Sequence, residues 1–278
     1  MEGVMKITTL VENHPNKGQP GLKAEHGVSF YIERGEHAYM SDLGQGDKFA
    51  RNATALDIDL KTVEVVAISH YHYDHGGGLG RFFKENDQAR VYLRAADDAD
   101  YIAAVGSMPV KHIGLDRGLL KNYAERIIYI EESQEVAPGL HLITPIPATY
   151  PKPHGDHRLK KRFKGETKPD TFAHEMVTVI ETVDGLVILT GCAHNGVLNM
   201  IEATRHALPG KPIQAVIGGF HLHHEDSATI REVGQELFAW DIPRIFTGHC
   251  TGDEAIEILA DVLGDRLRPL YTGLVMEF

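Results

Sequence analysis

Three times in its last third the chain runs a short apolar stretch into glycine and then histidine. Gly185-Leu-Val-Ile-Leu-Thr190 leads to Gly-Cys-Ala-His194, Ile213-Gln-Ala-Val-Ile217 to Gly-Gly-Phe-His221, and Arg244-Ile-Phe-Thr247 to Gly-His249. Helical patterns at about Gly196 to Leu208 and Ala228 to Trp240 separate the three. Short continuous apolar runs of this kind suit strands buried on both faces, and their alternation with helices defines an α/β layered fold. Such folds keep their chemistry in the loops at the strand ends, where these histidines fall.

An earlier strand, Val63 to Ser69, runs directly into His70-Tyr-His72-Tyr-Asp74-His75-Gly-Gly. On extended backbone His70, His72 and Asp74 point to one side, and the turn that follows lets His75 swing into the same space. Three imidazoles and a carboxylate suit Zn²⁺, Fe or Mn, whereas Mg²⁺ and Ca²⁺ prefer all-oxygen sites. Four ligands on one short segment rarely saturate a single tetrahedral ion without strain. Two ions sharing the loop are therefore expected, with His194, His221 and His249 as the donors from elsewhere.

The rest of the chain reads as one domain over residues 1–278, with no internal repeat and no linker. Strands are expected at Met5 to Glu12, Gly27 to Arg34, Glu36 to Asp42, Ala89 to Leu93, Arg126 to Ile130 and Leu140 to Ile146, with helices at Lys48 to Leu56 and Leu79 to Glu85. Two inserts stand out. Ala95 to Ala124 has a broken helical pattern interrupted by Gly106, Gly114 and Gly118, and its Tyr101, Met108, Lys111 and His112 are placed to roof a pocket. Lys152 to Lys168 carries five Lys and two Arg against one Asp and one Glu and reads as a loop.

Composition excludes several functions. The net charge of -11 argues against generic nucleic-acid binding, which needs a basic footprint. No apolar run reaches the ~18–20 residues of a membrane span, and the start, Met1-Glu-Gly-Val-Met-Lys, lacks a signal peptide's apolar region, so a cytoplasmic, membrane-free protein is expected. Two cysteines cannot build a disulfide framework. Histidine is in excess at 17 copies, and the six at 70, 72, 75, 194, 221 and 249 all fall at strand ends.

The His-X-His-X-Asp-His segment after an apolar strand resembles the signature of the metallo-β-lactamase superfamily. Ala24-Glu-His-Gly-Val-Ser29, Ser41-Asp-Leu-Gly-Gln45, Thr190-Gly-Cys-Ala-His194, Gly218-Gly-Phe-His-Leu222 and Thr247-Gly-His-Cys-Thr-Gly252 are similar to its 7,8-dihydropterin-6-methyl-4-(β-D-ribofuranosyl)aminobenzene-5′-phosphate synthase-like branch. The resemblance implies an αβ/βα four-layer sandwich with two metal ions, Zn²⁺ foremost, between the sheets. It assigns His70 and His72 to one ion, Asp74 and His75 to the other. The family's usual further histidine is missing after Leu140 to Ile146, and the place of its bridging Asp is taken by Cys192. His194 is then expected to replace the missing ligand and His249 to be the last histidine of the second ion. His221 either takes that last place or protonates a leaving group. Cys192 is either a bridging thiolate or a small residue packed under the metals, and Asp42 resembles a buried carboxylate that orients a ligand histidine.

The chemistry implied is hydrolysis or group transfer on a small phosphorylated or pterin-like molecule, with Asp74 and His221 in catalytic roles. Arg158, Lys160, Lys161, Arg162 and Lys164 are placed to clamp an anionic substrate. Phosphodiesterase or nuclease action, and a metal-holding sensor with little turnover, are the alternatives.

Overall fold

A computed structural model describes residues 4–103 and 110–278. Two seven-stranded sheets dominate it. In the first the order is Val275–Glu277, Lys6–Val11, Ser29–Arg34, His37–Ser41, Val63–Ala67, Arg90–Arg94, Ile127–Ile130; in the second it is Leu267–Pro269, Ile245–Gly248, Ile213–Gly219, Gly185–Leu189, Val177–Thr182, Leu140–Ile143, Gln134–Ala137. Half of each sheet is antiparallel and half parallel. The parallel parts are His37–Ser41 through Ile127–Ile130 and Gly185–Leu189 through Leu267–Pro269.

Three apolar clusters reveal the layering. Ile7, Phe30, Ile32 and Tyr39 of the first sheet meet Val187, Leu189, Ala215 and Ile217 of the second. The outer face of the first sheet packs Val66 and Val91 on Phe49, Ala53 and Phe82 of helices Lys48–Ala55 and Leu79–Glu85. On the outer face of the second, Ile188 and Val216 pack against Met200, Ile230 and Leu259 of helices Val197–Ala207, Ser227–Ala239 and Asp253–Leu263. The result is helix, sheet, sheet, helix. Strands with both faces covered must be apolar throughout, which is why Gly185–Leu189 is buried at every position. Asp226 caps Ser227–Ala239 by accepting from Thr229 N, and Asp253 and Glu254 favour the positive end of the last long helix.

The two inserts differ from their sequence reading. The stretch 95–124 holds strands Asp100–Ala103 and Lys111–His112 and a short helix, Arg117–Asn122, rather than an irregular helical region. Gly106 and Met108 lie outside the described residues. The basic stretch is a 3₁₀ turn, His154–Arg158, followed by a hairpin of Leu159–Phe163 and Glu166–Pro169, rather than a loop. The inserts pair with each other in a third, four-stranded sheet. Arg162 lies opposite Asp100 in that register, and Lys161 reaches Asp97 of the partner insert at 2.9 Å. Among the described residues no helix is long and apolar enough to cross a membrane.

Candidate metal centre

The strand Val63–Ala67 delivers His70, and a short turn, Tyr73–Gly76, places Asp74 and His75 beside it. The parallel strands of the second sheet bring in Cys192, His194, His221 and His249 from the opposite side. All are buried. Of the ligand groups that result, two lie side by side: His70, His72 and His194, and next to them Asp74, His75, Cys192 and His249.

In the second group His75 Nε2 is 3.1 Å from Cys192 Sγ and 3.6 Å from Asp74 Oδ2; His249 Nε2 is 3.4 Å from each of those atoms. Tetrahedral arms of ~2.0–2.3 Å put donor atoms roughly 3.3–3.8 Å apart, so the spacing fits one small cation. In the first group His70 Nε2, His72 Nε2 and His194 Nε2 are buried and make no hydrogen bond. Three converging unpaired acceptors are costly unless a cation receives them.

The outward nitrogens are tied down by oxygens. His75 Nδ1 donates to Asp42 Oδ2 at 2.7 Å, His249 Nδ1 to Asn13 Oδ1 at 3.0 Å, and His194 Nδ1 to Asp156 Oδ1 at 2.7 Å. Ser69 Oγ donates to Asp42 Oδ2 at 2.8 Å, which leaves it to accept from His70 Nδ1 at 2.9 Å. Each of these four rings is thereby held with an Nε2 lone pair turned inward, the arrangement metal-ligating histidines use. Asp42 thus contacts His75 directly and His70 through Ser69. Four of the site's residues, Asp42, Ala193, His221 and His249, hold positive φ without being glycine. Backbone strain of this kind gathers where function demands it.

Charge follows burial. Burial lowers His70 and His194 well below the ordinary histidine pKa, and lowers His72 and His221 to about 3 and His249 to about 4. Burial disfavours the charged form of Asp74, yet His75, His249 and His26 hold it well below the carboxylate range. Burial pushes the Cys192 thiol well up, with Cys250 adding to it. For the metal-free protein these shifts set a pH dependence. The unfolded chain protonates all five lowered histidines as pH falls through ~6.5 while the folded chain does not, so stability is present above that pH and lost below it. His223, lowered too, acts in the same sense, whereas Asp156, Glu175 and Glu25, whose pKa values burial raises, and His75, held up against burial by Asp42 and Asp74, act in the opposite one. Because the lowered histidines outnumber the raised groups, denaturant titrations in chelator should show stability falling from pH 6 to pH 5. A flat or rising profile would contradict the buried neutral state of these rings.

His221 stands apart from the second group. Its Nε2 lies 3.2 Å from Asp156 Oδ1 and its Nδ1 is buried without a partner. His249, not His221, joins Asp74, His75 and Cys192. Both groups open on one cavity of about 420 Å³, walled by Tyr73, Ala103, Lys111, Ile113 and Leu159, with His26 and His223 at its side. Of the basic insert only Leu159 reaches this wall. Arg158, Lys160, Lys161, Arg162 and Lys164 do not line it; Arg158 comes near enough to help depress the pKa of His223, which burial lowers first. Tyr101 and His112 line a neighbouring cavity, while Lys111 of the same insert lines this one.

Several residues of the site have no role assigned from the sequence, although His26 and Gly191 lie inside the Ala24 to Ser29 and Thr190 to His194 motifs. His26 Nε2 lies 3.2 Å from Asp74 Oδ2, Glu175 accepts from His194 N and Asn195 N at 2.8 Å each, and Glu12 accepts from His249 N. Gly191 is a further one, required by close approach. A Cβ there would sit 2.1 Å from Ser69 Oγ and 3.0 Å from Asp42 Oδ2. Gly191→Ala is expected to displace Ser69, to cost about 1–3 kcal/mol in thermal unfolding and to weaken metal binding at His70; unchanged melting and metal affinity would show that the contact yields freely.

A fold of paired sheets with a histidine-rich edge between them defines a class, and the comparisons agree. The chain belongs to the metallo-beta-lactamase superfamily, whose model matches residues 22–249. It is 25% identical, over 99% of its length and 97% of the relative's, to the 7,8-dihydropterin-6-methyl-4-(beta-D-ribofuranosyl)-aminobenzene-5'-phosphate synthase of Methanocaldococcus jannaschii. Among solved structures it is similar to Tm1679, a metal-dependent hydrolase of the beta-lactamase superfamily, with 28% identity, a TM-score of 0.83 and 99% of each chain covered. The zinc-bound PqqB of Methylobacterium extorquens shares the fold at 12% identity and a TM-score of 0.56, covering 98% of this chain and 100% of its own.

Proposed function

We propose that the protein is an enzyme with two adjacent divalent ions, zinc foremost, that performs hydrolysis or group transfer on a small anionic substrate of the phosphorylated or pterin-like kind. One observation carries this reading: two ligand groups, one with three unpaired buried imidazole nitrogens and one of mixed N, O and S donors, open on the same cavity. His70, His72 and His194 would hold one ion and Asp74, His75, Cys192 and His249 the other. The thiol of Cys192 makes the second site the softer one, which favours zinc or iron over manganese. When bound, such ions polarise a phosphoryl or carbonyl oxygen and make water nucleophilic near neutral pH.

The chain's own residues do the rest. Ala103, Ile113 and Leu159 form an apolar wall that excludes bulk water from the reacting centre. Lys111, whose Nζ donates to Tyr73 Oη at 3.0 Å, supplies a positive charge across from the ligands for the substrate's anionic group. His221, neutral and with Nδ1 buried and unpaired, is placed to accept a proton during the reaction rather than to donate one. The relative's synthase activity supports group transfer, and the structural neighbour's hydrolase activity supports hydrolysis.

The test begins with elemental analysis of purified protein, expected to give close to two ions per chain. Chelated and reloaded protein is then assayed on small phosphate mono- and diesters and on pterin-bearing phosphates. Turnover that disappears with chelation and returns with zinc is the expected result. A metal content near zero, with activity indifferent to His72→Ala, would remove the reading.

A further inference from the structure

The segment before the basic hairpin is fastened twice. Lys152 Nζ donates to Asn195 Oδ1 at 2.6 Å and to Thr171 O at 3.1 Å, which ties it to the loop carrying His194. Two residues on, His154 N donates to Glu225 Oε1 and His154 Nδ1 to Glu225 Oε2 at 2.7 Å, tying it to the loop carrying His221. Glu225 is buried, its side chain 2% exposed, although its histidine partner is open to solvent. Two residues beyond the second fastening stands Asp156, its side chain 12% exposed.

A single oxygen of Asp156 faces both rings. Oδ1 lies 2.7 Å from His194 Nδ1 and 3.2 Å from His221 Nε2, and the two ring centroids are 4.3 Å apart. The nitrogens on the far sides, His194 Nε2 and His221 Nδ1, are buried and have no hydrogen-bond partner. A neutral imidazole that donates from one nitrogen keeps its lone pair on the other. One acceptor therefore gives the two histidines opposite tautomers: His194 with Nε2 free, beside His70 and His72, and His221 with Nδ1 free, on a ring that lies near Cys192 and Cys250. Phe172, stacked on His194 at 4.2 Å, keeps that ring from turning over.

We propose that Asp156 is the positioning residue of this site, and that the insert carrying it serves to staple the His194 and His221 loops and to set the tautomers of both rings. The proposal rests on the metal reading for its consequence, not for its geometry. It makes His194 a ligand through Nε2 and keeps His221 from competing for the same ion, since the two rings offer different nitrogens. It also gives the insert a role other than clamping substrate.

The experiment uses the full chain with histidines labelled with ¹⁵N, and zinc as the probe. Long-range ¹H–¹⁵N correlations, assigned with His194→Gln and His221→Gln, report which nitrogen of each ring carries hydrogen in the metal-free protein. His194 is expected on Nδ1 and His221 on Nε2. In Asp156→Ala both rings are expected to become mixed, with zinc affinity at one of the two sites falling ~10–100-fold in chelator competition, and Asp156→Glu is expected to recover part of both. If Asp156→Ala does not fold, Asp156→Asn, which keeps the shape but puts an NH₂ donor in place of one oxygen, is expected to show the same changes in smaller measure. Unaltered tautomers and wild-type zinc affinity in whichever variant folds would overturn the proposal. Wild-type protein that binds no zinc would overturn the metal reading instead, while the tautomers of the metal-free protein still decide the staple.

Discussion

His194→Ala is expected to remove zinc from one of the two sites and to reduce turnover by more than the ~10–100-fold that follows loss of an outer partner. The reason lies in the three converging nitrogens. His70 and His72 come from one segment and cannot surround an ion alone; His194 closes the site from the opposite sheet. The effect on stability separates this from general damage. Without metal the wild-type site faces three unpaired acceptors at one another, so trading one ring for a methyl relieves a buried unsatisfied group while it opens a cavity, and these effects oppose each other. With zinc at 1,000 times its dissociation constant, binding stabilises the folded state by about 4 kcal/mol per site. Thermal melts with and without zinc should therefore show the variant close to wild type in chelator and well below it in zinc. Equal zinc-induced stabilisation in the two proteins would take His194 out of the ligand set.

The position of that histidine was legible because it depends on local rules. Period two along an extended segment aligns His70, His72 and Asp74, and apolar strands ending in glycine place His194, His221 and His249 along one edge. The parallel pairing of Gly185–Leu189 with Ile213–Gly219, and of that strand with Ile245–Gly248, follows from the same apolar runs. Which of His221 and His249 joins Asp74 was not legible. Both follow a glycine at a strand end, and the choice is made by a backbone turned to positive φ at each and by Asn13 and Glu12, more than 200 residues away in the chain. The basic insert was misread for a related reason. Its charge is plain in the sequence, but its position is fixed by pairing with another insert, where register brings Asp100 opposite Arg162 and Lys161 reaches Asp97. His26, Asp156 and Glu175 sit in turns and loops, where no periodicity marks a side chain as turned inward.

Asp42→Ala is expected to have the largest effect on stability of any single change in the site. The carboxylate is fully buried and accepts from Ser69 N at 2.7 Å, Ser69 Oγ at 2.8 Å and His75 Nδ1 at 2.7 Å. Removing it strands three donors where water does not reach, at about 1–3 kcal/mol for each left unpaired. It also withdraws the negative charge that, with Asp74, holds His75 above its ordinary pKa against burial. A loss of about 3–5 kcal/mol is in keeping with breaking a buried charge pair. Asp42→Asn discriminates between packing and charge. The amide fills the same space and its oxygen still accepts from Ser69, but its NH₂ group meets donors rather than acceptors. It is expected to fold, with a smaller loss of stability, and to bind zinc ~10–100-fold more weakly because both His75 and, through Ser69, His70 lose their fixed orientation. Weakened binding at both sites from one substitution is the distinguishing result, since His75 and His70 belong to different ligand groups. If only the Asp74, His75, Cys192 and His249 site weakens, the link through Ser69 does not orient His70.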